Sequence, residues 1–144
     1  MRLNSRFRFT IYAAVAVLFL TGAGWFAADW QKEGANGETW QQAAAYLLML
    51  HGGGAMVTLL LFGALIPIHI LRSWRSGKNL VMGSVMITVN SVLIVTAFGL
   101  YYLGSETVRP WMSLVHLAFG AALPGLLVVH IYLGRRQRLE TYDG

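Results

Sequence analysis

The chain has 144 residues, 56% of them hydrophobic and 12% charged, with a formal net charge of +5 and no cysteine. That length fits one domain, and that composition belongs to a membrane protein rather than a soluble one. Without cysteine there are no disulfides, iron–sulfur clusters or thiolate-held cofactors, and no soluble extension is long enough to carry a catalytic domain.

Four apolar segments follow in order, at 9–28, 41–71, 79–103 and 111–133. Each is long enough to cross a hydrocarbon core about 30 Å thick at about 1.5 Å per residue. The first is preceded by Arg2, Arg6 and Arg8 and ends near Ala27-Ala28. These features also fit a secretory signal, but we expect it to be a retained helix. The second is longer than a span requires and carries Gly52-Gly53-Gly54 and Pro67, either of which can bend it. The third carries Thr88, Asn90, Ser91 and Thr96, read as hydrogen-bonding groups between helices. The fourth has Pro124 midway, a second kink candidate. Phe62-Gly63-Ala64-Leu65-Ile66-Pro67 and Phe119-Gly120-Ala121-Ala122-Leu123-Pro124 form a faint internal echo.

Basic residues set the expected orientation. Arg2, Arg6, Arg8, Arg72, Arg75, Lys78, Arg135, Arg136 and Arg138 flank the termini and the central loop, while the two opposite loops hold only Lys32 and Arg109. Basic charges at segment ends are a topology signal rather than a nucleic-acid surface. The expectation is an all-α integral membrane four-helix bundle, a single domain over 1–144, with both termini cytoplasmic and both hairpin loops outside. Trp25, Trp30, Trp40 and Trp111 fall at the outer ends, where an aromatic belt is expected, and Trp74 at the inner side.

The four histidines, His51, His69, His116 and His130, all lie inside these segments, two on the second and two on the fourth. An imidazole in a bilayer is costly without a partner, so each marks a candidate functional site. The spacings are 18 and 14 residues. At about 100° per residue, the first returns to the same helix face and the second misses it by about 40°. The second and fourth segments run parallel in the expected topology, which pairs His51 with His116 near the outer surface and His69 with His130 near the inner one. The separations along the helices are about 27 Å and about 21 Å, so tilt or kinks must absorb the difference. The same faces carry Ala55, Thr58, Phe62 and Leu65 on the second segment, and Gly120, Leu123 and Leu127 on the fourth. Zinc, copper and non-haem iron sites need three or more converging protein ligands. Each depth here offers two histidines and no acidic residue, which suits a macrocycle that supplies the other four ligands. The economical reading is two bis-histidine b-type haems. Gly83 or Gly99 is a candidate to admit a macrocycle. Arg72, Arg75, Lys78 and Arg109 are candidates to meet propionates, and Tyr101, Tyr102, Glu106 and Arg109 to border a quinone pocket.

With those histidines the chain resembles the small bacterial four-helix dihaem cytochromes b of the cytochrome b561-like superfamily. The resemblance spans nearly the whole chain, but its specific part is His51, His69, His116 and His130. It implies a bacterial inner-membrane protein moving electrons between the quinone pool and a redox partner, alone or as the cytochrome subunit of a complex, with a homodimer as a candidate assembly. Lipid and quinol are the expected small partners, and nucleic acid is not one. Two alternatives stand beside it: a free-standing quinone-coupled oxidoreductase acting on superoxide or another small molecule, and a haem-free membrane adaptor.

Overall fold

The computed structural model describes residues 4–77 and 80–140, with side chains as far as Arg136. Arg2, Lys78 and the side chain of Arg138 lie outside this described set. The described residues form α1 (Ser5–Gln31), α2 (Gly37–Leu65), a π segment (Ile66–Ile70), α3 (Leu71–Ser76), α4 (Leu80–Tyr102) and α5 (Val108–Glu140), with no strand among them. Among the described residues, four helical stretches are long and apolar enough to cross a membrane: Ser5–Gln31, Gly37–Ser76, Leu80–Tyr102 and Val108–Arg136. The protein is an all-α, multi-pass membrane protein.

Local chemistry sets the ends of these helices. The Asn4 side chain accepts from the Arg6 N–H at 3.1 Å and caps α1. The α1–α2 turn is tied by Gly34 N–H to the Gln31 carbonyl at 3.1 Å and Gly37 N–H to the Gly34 carbonyl at 3.0 Å. A Cβ at Gly37 would collide with the Lys32 carbonyl oxygen, so the turn requires glycine there. Beside it Lys32 Nζ donates to Asp29 Oδ1 at 2.9 Å, which raises the lysine pKa above its ordinary value. Gly77 closes α3 in the left-handed region at φ 66°, its N–H meeting the Trp74 carbonyl at 3.2 Å. At the start of α5 the Ser105 hydroxyl accepts from the Val108 N–H at 3.4 Å.

The two prolines expected to bend the spans behave differently. Pro67 has no N–H to offer the Gly63 carbonyl, and the chain widens there into the π segment that also holds His69. A π turn takes up one extra residue, equivalent to about 100° of helix rotation. The placement of His51 and His69 on one face assumed an uninterrupted α-helix, and the π segment removes that premise. Pro124 lies inside α5, which continues past it without a break.

The chain divides into two compact units, Met1–Leu65 and Ile66–Gly144. In the first, α1 and α2 pack as an antiparallel hairpin. Small residues let the backbones approach: Gly24 faces Leu47, Gly54 faces Leu18 and Val17, and Ala28 and Ala44 are buried. In the second, α4 and α5 form the corresponding hairpin. Gly99 faces Met112, Gly120 faces Leu93, and Val89 and Leu123 are buried. The large apolar side chains point outward in both units, among them Phe9, Leu20, Leu60, Val81 and Val128. Lipid tails are as apolar as these side chains, so the hairpins are held by close packing and a few polar contacts rather than by burying bulk.

Two glycines separate the steric demand from the general cost of glycine in a helix. Gly37→Ala should destabilise the first hairpin by about 1–3 kcal/mol through the collision with Lys32. Gly53→Ala meets no atom within 4 Å and should be neutral or stabilising by up to about 1 kcal/mol. Thermal unfolding in detergent reads both, and equal behaviour of the two variants would contradict this account of the turn.

Candidate functional site

In the first hairpin His51 sits on α2 and turns its ring toward α1. Its Nδ1 lies 3.1 Å from Thr21 Oγ1 and 3.0 Å from the Leu18 carbonyl oxygen. Thr21 Oγ1 is itself bonded to the carbonyls of its own helix, Val17 at 2.7 Å and Leu18 at 3.2 Å. Gly22 makes room for the ring: a Cβ there would stand 3.2 Å from His51 Cε1.

The second hairpin repeats this arrangement. His116 on α5 turns toward α4, and its Nδ1 lies 2.8 Å from Thr96 Oγ1. Thr96 Oγ1 bonds back to Val92 at 2.7 Å and Leu93 at 3.2 Å, and Thr96 is only 5% exposed. In each hairpin the helix that donates the threonine reads Val-Leu-x-x-Thr-x-x-Gly: Val17-Leu18, Thr21 and Gly24 in α1, and Val92-Leu93, Thr96 and Gly99 in α4. In each, the glycine meets the side chain four residues before the histidine, Leu47 or Met112. In each, the leucine meets a glycine just after the histidine, Gly54 or Gly120.

His69 and His130 are placed otherwise. Both belong to the second unit, and their rings meet edge-on, with centroids 6.2 Å apart and planes at 83°. His130 Nδ1 is one of two buried side-chain polar atoms without a hydrogen-bond partner among the described residues, the other being Arg8 Nε. No three His, Cys, Asp or Glu side chains converge on a metal-sized site among the described residues.

The remaining polar candidates resolve simply. Asn90 Nδ2 donates to the Met86 carbonyl of its own helix at 2.8 Å. The surface of Gly99 is taken by Met112, whose Sδ would lie 2.9 Å from an added Cβ, whereas Gly83 has nothing within 4 Å. Tyr102 stacks on Phe98 at 5.1 Å. An open groove of about 610 Å³ runs between Leu80, Val81, Ser84, Val85, Thr88 and Val89 of α4 and Phe119 of α5.

Thr21 was not among the sequence candidates, and Thr96 was read only as a generic interhelical hydrogen-bonding group. The signal that would have found both is the repeated Val-Leu-x-x-Thr-x-x-Gly stripe. No protein-family model, curated protein or solved structure matches the chain.

The two kinds of histidine should respond oppositely to an apolar substitution. In ligand-free protein His51→Leu removes a bonded Nδ1 and should cost about 0.5–1.5 kcal/mol. His130→Leu removes a buried polar atom that has no partner and should leave the melting temperature unchanged or raised. A clear drop for His130→Leu would mean that Nδ1 is satisfied after all.

Proposed function

We propose that this protein carries electrons through the membrane on two b-type haems, which His51, His69, His116 and His130 would hold. His69 and His130 are assigned to one haem. His51 and His116 are assigned to the other on the sequence pattern. The observation that carries the reading is the His69–His130 pair. Two imidazoles on opposite sides of one metal, with bonds of about 2 Å, have ring centroids about 6 Å apart. The 6.2 Å separation fits that arrangement, and the ring planes are free to take any mutual angle. Among the described residues no third His, Cys, Asp or Glu side chain converges on the pair, and on the proposed reading the remaining coordination comes from the bound group. A porphyrin supplies it. The buried Nδ1 of His130 has no partner among the described residues, so hydrogen bonding at that nitrogen does not account for the ring.

When bound, each haem supplies one-electron iron chemistry, and the chain's task is to hold, orient and shield it. The histidines fix the position along the helix axis. A small residue beside a histidine would help admit a flat ligand: Gly52 follows His51. The surrounding apolar helices exclude water, which confines reaction to electron transfer and sets the local dielectric. The chain resembles the cytochrome b561-like superfamily in this ligand pattern, and a bacterial inner membrane and a quinone pool are proposed on the same ground. The groove along α4 and α5 adds a specific reason to include a quinone. It is apolar enough for an isoprenoid tail and carries the Ser84 and Thr88 hydroxyls beside it.

The test is a dithionite-reduced minus oxidised absorption spectrum of purified protein, with haem counted per chain. The expected result is two low-spin b haems per polypeptide. His69→Ala and His130→Ala should each lose one haem, and the same one. A protein that binds no haem would overturn the reading in favour of a membrane adaptor. A single-histidine variant retaining both haems with unchanged spectra would overturn the ligand assignment.

A further inference from the structure

We infer that Thr21 and Thr96 are positioning residues that hold His51 and His116 in the Nδ1–H tautomer, so that Nε2 carries the lone pair and is the nitrogen presented to a metal. The consequence for metal binding rests on the proposed function; the tautomer does not. A threonine hydroxyl has one proton. At Thr21 it is shared between the Val17 and Leu18 carbonyls at 2.7 and 3.2 Å, and both of these only accept. Oγ1 can therefore only accept from His51 Nδ1 at 3.1 Å. The Leu18 carbonyl, 3.0 Å from the same nitrogen, is also acceptor-only, so Nδ1 must bear the proton. At Thr96 the hydroxyl is committed in the same way, to Val92 at 2.7 Å and Leu93 at 3.2 Å, and His116 Nδ1 stands 2.8 Å from it.

A flip of either ring would turn a C–H toward the hydroxyl and forfeit the bond. In a medium without water that loss has no substitute. At His51 the ring lies where a side chain on Gly22 would crowd it, an added Cβ standing 3.2 Å from Cε1. The same contacts therefore set both tautomer and orientation, which is what a partner on the outer nitrogen does for a metal-bound histidine. The repetition supports the inference independently. Two hairpins with loops of different sequence each place a Val-Leu-x-x-Thr-x-x-Gly stripe opposite a histidine.

The experiment compares the isolated protein with Thr21→Val, Thr21→Ser, Thr96→Val and Thr96→Ser. Valine keeps the shape and removes the hydroxyl; serine keeps the hydroxyl. Haem retention is followed by transfer to apomyoglobin, and the midpoint potential of each haem by redox titration. Each valine variant should weaken retention of one haem by about 10- to 100-fold and move its potential, leaving the other haem unchanged. Each serine variant should restore both. Unchanged retention and potential in the valine variants, or failure of serine to rescue, would overturn the inference. If the isolated protein binds no haem, the proposed function fails, and long-range ¹H–¹⁵N correlation on ¹⁵N-histidine-labelled protein decides the tautomer alone. Nδ1–H forms at His51 and His116 that turn into mixtures in the valine variants would uphold it. Nε2–H forms, or no dependence on the threonines, would overturn it.

Discussion

Everything polar inside a membrane span must find its partner within the protein. The helices meet this demand for the backbone, because each internal N–H is paired with a carbonyl of the same segment. Side chains have no such automatic solution. A threonine solves it by bonding back to the carbonyl four residues earlier, as Thr21 and Thr96 do. Having spent its one proton there, its oxygen becomes a fixed acceptor facing the neighbouring helix. A histidine has two ring nitrogens to satisfy, and the back-bonded threonine takes the protonated one. The Thr–His pair thus carries an imidazole between two helices in lipid with its Nδ1 satisfied.

This pairing depends on close approach of the backbones, and the glycines provide it. In both hairpins the interface is a stripe of small residues with one threonine opposite one histidine. Gly24, Gly54, Ala28 and Ala44 serve the first hairpin, and Gly99 and Gly120 the second. Larger residues at these positions would push the helices apart and stretch the hydrogen bond beyond its useful range. Packing and site are therefore one design: the contacts that hold each hairpin together also aim its histidine.

The four spans were legible because membrane length and apolar composition leave few alternatives. The histidines stood out because imidazole is costly in lipid. The helix ends were less legible: α1 and α5 run several residues beyond the apolar segments, because helix geometry continues into the interfacial region where charged residues are tolerated. The π segment was not legible, since Pro67 announces a disturbance but not its form. Thr21 and Thr96 escaped for a different reason. The internal echo was sought between the two helices that carry histidines, whereas the threonines lie on the other two. A threonine in an apolar span is also unremarkable by composition. Only its position opposite a histidine gives it meaning, and that requires the fold.

The histidines differ in a way that bears on why they are there. His51 and His116 have a paired Nδ1, so the hairpins benefit from them even without a ligand. His130 does not share this: its Nδ1 is buried and without a partner. A leucine at that position would remove a buried polar group worth about 1–3 kcal/mol of instability. Hydrogen bonding within the protein therefore argues against an imidazole at 130. The ring of His69 lies beside it, 6.2 Å away, a second ionisable side chain within the same apolar segments. On the proposed function, two imidazoles brought face to edge are accounted for by what their nitrogens would bind together rather than by the helices they sit on.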